Sequence, residues 1–184
     1  MTSKRPGLAS ARFFSLILTF CPGLLHAAPL GFKGVDIGSP LAQIASNPRH
    51  ECRPVNTPIG DTVCGLRPRE TETIAGASVV SLYYFYDAGR LNGIQITLAE
   101  KDFQKVVDAL GVKYGAGTLA AAPIRNPNGA TFEQRIWTWQ RGEESLRAER
   151  YSGRLDRSIL RITDDSAARR VQQRRAVKDP SKDL

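Results

Sequence analysis

The residues whose chemistry the sequence predicts most directly are two cysteines, Cys52 and Cys64. Eleven residues separate them, including two prolines and a glycine, whereas redox-active pairs usually have the CxxC spacing. A pair of cysteines in an exported domain is typical of a disulfide. We therefore predict a structural disulfide that closes the intervening loop and stabilises the fold by about 3 kcal/mol.

A run of four aromatic residues is the second group that could carry a function. Its members are Tyr83, Tyr84, Phe85 and Tyr86. In a strand, alternate members of the run point to opposite faces of the sheet. One interpretation is that both faces are internal packing, since β-rich cores favour aromatic residues. The other is an open face that binds a protein, helped by a neighbouring arginine. The candidate arginines are Arg90, Arg135 and Arg147.

Metal binding is not expected, although His50, Glu51 and Cys52 are adjacent. Zinc sites need three or four protein ligands. Cys52 is already assigned to the disulfide, and neighbouring residues rarely all face one ion. The sequence therefore predicts no metal and no cofactor.

Catalytic motifs are absent from the sequence, which has no HExxH, GxSxG, phosphate-binding glycine loop or dinucleotide fingerprint. Two adjacent carboxylate pairs exist, Glu143 with Glu144 and Asp164 with Asp165. They fall at a predicted turn and a predicted helix start, where acidic residues are expected for solvation and capping. We therefore predict a protein without enzymatic activity.

Residues 1–27 have the pattern of a secretory signal peptide. Three basic residues, Lys4, Arg5 and Arg12, precede an apolar run at 13–25, which is too short for a comfortable transmembrane helix. Ala27 offers a small residue near the cleavage point, and Cys21 would leave with this leader. We predict a periplasmic or secreted protein that is not an integral membrane protein.

The charge of the chain restricts its partners. The formal charge is +8; without the leader, 23 basic and 18 acidic residues leave +5, and the part before the C-terminal tail carries only +3. A nucleic-acid-binding domain usually has a denser basic face, so no nucleic acid is expected. The tail arginines could contact phosphates of anionic lipid, although a solvated tail is the more common case. These arginines are Arg169, Arg170, Arg174 and Arg175.

The most strongly patterned stretch, 79–115, predicts a strand, a tight turn, a second strand and an amphipathic helix. In the second strand, Ile94, Ile96 and Leu98 alternate with polar residues and are expected to face the core. The helix carries one apolar stripe and ends at a glycine. The stripe consists of Phe103, Val106, Val107, Leu110 and Tyr114.

Weaker patterns flank this stretch. A short helix is predicted over 41–47, followed by a long loop at 48–73 and, after the second helix, a loop at 117–130. Three further strands are predicted between 136 and 163. If the first two of these strands pair at a Gly142-Glu143 turn, Trp139 faces Leu146 and Trp137 faces Ala148.

These elements predict one α+β domain over 28–163. An antiparallel sheet, made of a hairpin plus a three-strand meander, would have two helices packed on one face, in the order α-β-β-α-β-β-β. The two halves are loosely similar, since each is a helix followed by antiparallel strands. Residues 164–184 are predicted to form a charged helical or disordered tail.

Two segments resemble a family of small uncharacterised exported proteins of Gram-negative bacteria. They are GVDIGSPLAQI at 34–44, and FYDAGRLNGIQITL with the FQKVVDALGVKYG helix at 85–115. More distantly, the chain resembles BamE-type outer-membrane assembly lipoproteins and β-lactamase inhibitor proteins, and this resemblance implies helices on an antiparallel sheet that binds proteins. The chain departs from it in two ways: a lipid-attachment cysteine is missing, and Ser39-Pro40 replaces the usual Gly-Met. No functional residue can be transferred.

The sequence therefore predicts a non-enzymatic binding or structural protein that contacts an envelope protein or another component of the cell envelope. One alternative is an envelope hydrolase or modifying enzyme, which needs a pocket that gathers Glu or Asp with Tyr or Arg. The other is a module that binds anionic surfaces through its basic C-terminal tail.

Overall fold

The computed structural model describes residues 29–178, so the predicted signal peptide and residues 179–184 lie outside the described range. The strands are β1 (Gly31–Phe32), β2 (Val35–Asp36), β3 (His50–Thr57), β4 (Gly60–Leu66), β5 (Thr73–Ile74), β6 (Ala77–Asp87), β7 (Arg90–Ala99), β8 (Thr118–Arg125), β9 (Thr131–Arg141), β10 (Glu144–Glu149) and β11 (Arg157–Asp164). The helices are α1 (Leu41–Ala45), α2 (Phe103–Tyr114) and α3 (Asp165–Lys178). Within this range no helix is both long and apolar enough to cross a membrane.

One nine-stranded antiparallel sheet dominates the molecule. Its strands follow the order β3-β4-β6-β7-β11-β10-β9-β8, and β5 pairs with β6 beside this path. A separate ribbon consists of β1 and β2. Each half of the chain is a helix followed by an antiparallel meander, and the last strands of the two meanders, β7 and β11, pair in the middle of the sheet.

The predicted α+β class, with five strands and two helices on one face, is wrong. The stretches predicted as loops, 48–73 and 117–130, contain β3, β4, β5 and β8. β3 and β8 are the two edge strands, and most of their side chains are exposed on both faces, so their sequences show no alternation. Each also contains a proline, Pro54 or Pro123, which an edge strand tolerates.

The predictions made from strong patterns are confirmed. Ile94, Ile96 and Leu98 are buried together with four residues of the α2 stripe, and Tyr114 at its end is partly buried. The four are Phe103, Val106, Val107 and Leu110. We call the side of the sheet that carries Ile94, Ile96 and Leu98 the inner face, and the opposite side the outer face. β9 and β10 pair in the predicted register, which includes Trp139 opposite Leu146 and Trp137 opposite Ala148.

The segment before β3 belongs to the same core. Its buried residues pack in one cluster with β7 and α2. The backbone N–H of Leu30 donates to Oε2 of Glu144 at 2.8 Å, and the Tyr114 hydroxyl donates to the Gly31 carbonyl at 3.0 Å. These two bonds attach the segment to β10 and α2. Its buried residues are Leu30, Phe32, Val35 and Ile44.

The predicted disulfide is present and joins Cys52 of β3 to Cys64 of β4. The two residues lie opposite each other in the ladder, with their Cα atoms 4.0 Å apart. Cys64 is fully buried, whereas Cys52 is exposed. The bond therefore links the edge strand to a core strand, instead of pinning a loop as the sequence suggested.

The chain after β11 forms α3, whose side chains are described as far as Arg174. Ala167 and Val171 are each 2% exposed, so α3 buries an apolar strip against the rest of the molecule. At its start, Oδ1 of Asp164 accepts hydrogen bonds from the Ala167 N–H at 2.9 Å and the Ser166 hydroxyl at 2.7 Å.

The substitution Ile94→Ala tests the role of β7 in the core. Ile94 is 1% exposed and lies between Tyr84 of β6 and Ile162 of β11. Removing its buried methyl groups should lower the free energy of unfolding by about 2–5 kcal/mol, measured by urea denaturation. Val112→Ala is the control: Val112 is 91% exposed, so its effect should stay within about 0.5 kcal/mol. A loss as small as the control's would contradict this packing.

Candidate functional site

The aromatic run lies on β6 and divides between the two faces of the sheet. Tyr84 and Tyr86 point to the inner face and are 2% and 0% exposed. Tyr83 and Phe85 point to the outer face, where Tyr83 is 39% exposed and Phe85 is partly buried. One half of the run is therefore core packing, and the other half remains available for contact.

The two inner tyrosines are neutral core residues. Burial raises the pKa of the Tyr86 phenol to about 12. Burial also raises the pKa of Tyr84, and the nearby Tyr86 and Glu72 add to this shift. Neither phenol is ionised near neutral pH, so neither can serve there as a phenolate base or nucleophile.

A bulge changes the phase of β6 before the aromatic run. Val79 pairs with Leu98 but Ser81 pairs with Thr97, so Val80 is left between them. As a result Val79 packs against the core and Val80 is 52% exposed. Strict alternation along the strand would instead predict Val80 on the inner face and Val79 on the outer face.

On the outer face, Tyr83 belongs to a row of side chains that crosses the sheet. The strand registers place Gln95, Arg161, Arg147 and Thr138 in succession beside it. Arg147 is exposed, and the other three are partly exposed. The row thus combines one aromatic side chain with two guanidinium groups and two neutral polar groups.

Both arginines of this row bind one carboxylate. Nε of Arg147 lies 3.2 Å from Oε1 of Glu149, and Arg161 donates to the same oxygen. Glu149 is the more buried partner, with 18% of its side chain exposed, against 50% for Arg147 and 41% for Arg161. The trio keeps a net positive charge, and the registers place Arg161 next to Gln95 and Arg147 one strand farther from Tyr83.

The Tyr83 ring lies against Gly65 of β4. A Cβ atom at Gly65 would be 3.3 Å from two ring carbons of Tyr83, closer than an ordinary contact. The ring also contacts Phe85, with centroids 6.4 Å apart and planes tilted by 51°. Gly65 and Phe85 therefore fix where the exposed tyrosine stands.

The other two arginines considered from the sequence do not join this row. Arg90 donates to the Gly38 carbonyl at 3.2 Å. Arg135 pairs with Glu133 and projects to the same face as Trp137, the inner one. Of the three candidates, only Arg147 belongs to the row, where Gln95 and Arg161 lie between it and Tyr83.

The start of α3 limits one end of the outer face. Oδ1 of Asp165 accepts hydrogen bonds from the hydroxyls of Ser145 at 3.2 Å and Thr163 at 3.0 Å, both of which point outward. Farther along α3, Arg174 pairs with Asp87 at the end of β6. The helix therefore covers the turn end of the outer face and leaves the Tyr83 row open.

The carboxylates that are adjacent in sequence have separate structural partners. Glu143 pairs with Arg169, while Glu144 accepts from the backbone of the N-terminal segment. Burial opposes ionisation of Asp164, but hydrogen bonds from Ala167 and Ser166 lower its pKa overall.

Among residues 29–178 no group of three or more His, Cys, Asp or Glu side chains is arranged to hold a metal ion.

His50 is buried at the start of β3, where it is 7% exposed. Its ring meets the Tyr84 ring edge-on, with centroids 5.7 Å apart, and within the described part of the chain neither ring nitrogen has a hydrogen-bond partner. Burial lowers the pKa of His50 below its ordinary value of 6.5; Arg49 adds to this effect, and Glu72 and Glu70 oppose it.

Sequence reasoning missed four residues in or beside the Tyr83 row: Gln95, Arg161, Thr138 and Glu149. A signal for two of them was present, because Arg161 lies between the inward Leu160 and Ile162, and Gln95 between Ile94 and Ile96. Gln95 lies beside Tyr83 through the β6–β7 hairpin. The residues of β9, β10 and β11 reach the same row only because β7 pairs with β11, which no local pattern reveals.

Comparison with known proteins gives no match to a family model, a curated protein or a solved structure. The site is therefore interpreted from its own residues.

His50 predicts a measurable pH dependence of stability. Because the folded state disfavours the charged imidazole, the unfolded state binds the proton more readily as the pH falls below 6.5. The free energy of unfolding should therefore drop below that pH, by at most about 1.4 kcal/mol per pH unit, and this contribution should be constant above it. Urea denaturation at pH about 8 and about 5 spans the change.

His50→Leu is the matched variant, since it keeps an apolar contact with Tyr84 and cannot titrate. Its stability should fall less between the two pH values than that of the wild type. Equal losses in the two proteins would show that His50 is not the group responsible.

Proposed function

We propose that this chain is an exported, non-enzymatic binding protein that contacts a protein partner through the outer face of its sheet. The observation that carries the proposal is Tyr83: a large aromatic side chain, 39% exposed, in one row with Arg161 and Arg147. Tyrosine and arginine are enriched among the residues that dominate protein–protein binding energies.

The side chains of the outer face indicate the surface chemistry that a partner would need. Tyr83 fits an apolar depression, because its ring is already supported by Gly65 and Phe85 and needs little ordering. Arg147 and Arg161 share one carboxylate, Glu149, and so favour acidic groups beside that depression. We therefore propose an envelope protein with an acidic rim around an apolar pocket.

Export is supported by two features. The leader-like residues 1–27 predict secretion, and the Cys52–Cys64 disulfide suits an oxidising compartment. The resemblance to small exported proteins and to protein-binding sheet proteins agrees with this interpretation, although it contributes no residue to the site.

The hydrolase alternative requires a pocket that combines an acidic residue with Tyr or Arg, and one hollow fits this description. Glu100, Arg135 and Arg150 are among the residues that line it. The carboxylate and both arginines already have partners: Nε of Arg150 donates to Glu100 at 2.6 Å, and Arg135 binds Glu133. Lys101 also lines the hollow. Among the described residues, no serine, cysteine or histidine lines this hollow. A satisfied ion pair without a nucleophile favours a structural role.

The anionic-surface alternative depends on the arginines of α3. Three of them already bind carboxylates of the same chain: Arg169 binds Glu143, Arg170 binds Asp164, and Arg174 binds Asp87. These pairs are exposed and individually weak, but a phosphate would have to replace them. The side chain of Arg175 lies outside the described part of the chain. This competition makes the outer face the better candidate.

Site-specific photocrosslinking tests the proposal. A benzoylphenylalanine placed at position 83, in cells that naturally produce the protein, should capture one defined partner, to be identified by mass spectrometry. The same probe at position 112 is the control, because Val112 is exposed on α2 and remote from the outer face. Identical capture at both positions would contradict a specific site at Tyr83.

Affinity measurements with the purified partner then show how much each residue of the outer face contributes to the free energy of binding. Tyr83→Ala should weaken binding by about 30-fold, the effect of losing a hot spot worth about 2 kcal/mol. Arg147→Ala should also weaken binding and reduce its salt dependence. Val112→Ala should leave the dissociation constant unchanged. Unaltered affinity in Tyr83→Ala would reject the outer face as the binding surface.

A further inference from the structure

A cavity of about 320 Å³ lies between α2 and the inner face of the sheet, on the side opposite Tyr83. Its floor consists of apolar side chains from the middle of the sheet, and Val106 and Leu110 of α2 form one wall. β1 and β5 close the remaining sides. The floor residues are Ile96, Leu146, Leu160 and Ile162.

The size and lining of this cavity favour an apolar occupant. Engineered apolar cavities of about 150 Å³ stay dry and take up small hydrocarbons, and this space, which is open to solvent on one side, has the same kind of apolar lining. At about 320 Å³, the space is at the lower end of the range for ligand sites, about 300–1,000 Å³. It therefore suits a single alkyl chain better than a lipid with two chains.

Two exposed lysines, Lys33 and Lys113, mark the mouth of the cavity. Lys33 already forms an ion pair with Glu72. Among the described residues Lys113 has no ion pair, and its Nζ lies 4.7 Å from the centroid of the Tyr114 ring. The Tyr114 hydroxyl already donates a hydrogen bond to the Gly31 carbonyl. The mouth thus offers one ammonium group without an opposite charge.

We propose that this cavity binds a medium-chain fatty acid, with the alkyl chain on the inner face and the carboxylate on Lys113. The apolar lining accounts for the chain, and the single unpaired ammonium matches a head group with one negative charge. This site is separate from the proposed protein-binding surface, and neither depends on the other.

Calorimetric titration of the purified chain with monomeric decanoate tests the site. Decanoate should bind with one-to-one stoichiometry and a negative heat-capacity change, the mark of apolar burial. Lys113→Ala should weaken decanoate binding by about tenfold, which corresponds to the loss of one charge-assisted contact. Lys113→Arg should restore most of the affinity, because it keeps the positive charge.

Two controls separate the cavity from surface binding. Lys101→Ala removes the same charge from the turn before α2, at a residue that lines a different hollow, and it should leave decanoate affinity unchanged. Ala109→Phe should fill the cavity and abolish binding, while the far-ultraviolet circular dichroism shows that the sheet is intact; Ala109→Leu serves the same purpose if the larger residue prevents folding.

Decanol tests the role of the head group, since it has the same chain without a charge. It should bind more weakly than decanoate, and Lys113→Ala should not alter its affinity. The proposal is overturned if decanoate does not bind, if Ala109→Phe and Ala109→Leu bind it as well as the wild type, or if decanol binds as tightly as decanoate.

Discussion

The pairing of β7 with β11 is the interaction on which the rest of the structure depends. It joins the last strand of one meander to the last strand of the other, and so turns β3-β4-β6-β7 (with β5 beside β6) and β11-β10-β9-β8 into one sheet. The register places Ile96 beside Leu160 and Ile94 beside Ile162, all of them 1–2% exposed. A slip of one residue would move one apolar set to the outer face, so the packing of the inner face specifies the register.

Both proposed sites follow from this junction. On the inner face it supplies the floor of the cavity, to which β7 and β11 contribute Ile96, Leu160 and Ile162. On the outer face the same pairing brings Gln95 next to Arg161, and thereby connects Tyr83 of the first half to Arg147 of the second. The period of two along each strand keeps the two sites on opposite sides of the sheet.

The sequence predicted the elements whose faces differ strongly in polarity. β7 and α2 could be read from their apolar periodicity, and the register of β9 with β10 from a tight turn flanked by alternating residues. The edge strands β3 and β8 could not be predicted, because a strand that is exposed on both sides needs no alternation of apolar and polar residues. Tyr83 was a candidate from the start, but which half of the aromatic run was exposed depended on the layer that covers the inner face. The cavity has no sequence signal, since it arises from the spacing between α2 and the sheet.

Hydrogen exchange measured by mass spectrometry tests most directly whether the two halves form one sheet around this junction. Amides in β7 and β11 should exchange most slowly and at similar rates, because they open only when the whole sheet unfolds. Amides of the edge strand β8 should exchange much faster, through local fraying. If β7 and β11 exchange as fast as β8, or if protection in β11 is lost while β7 stays protected, the halves are not joined as described.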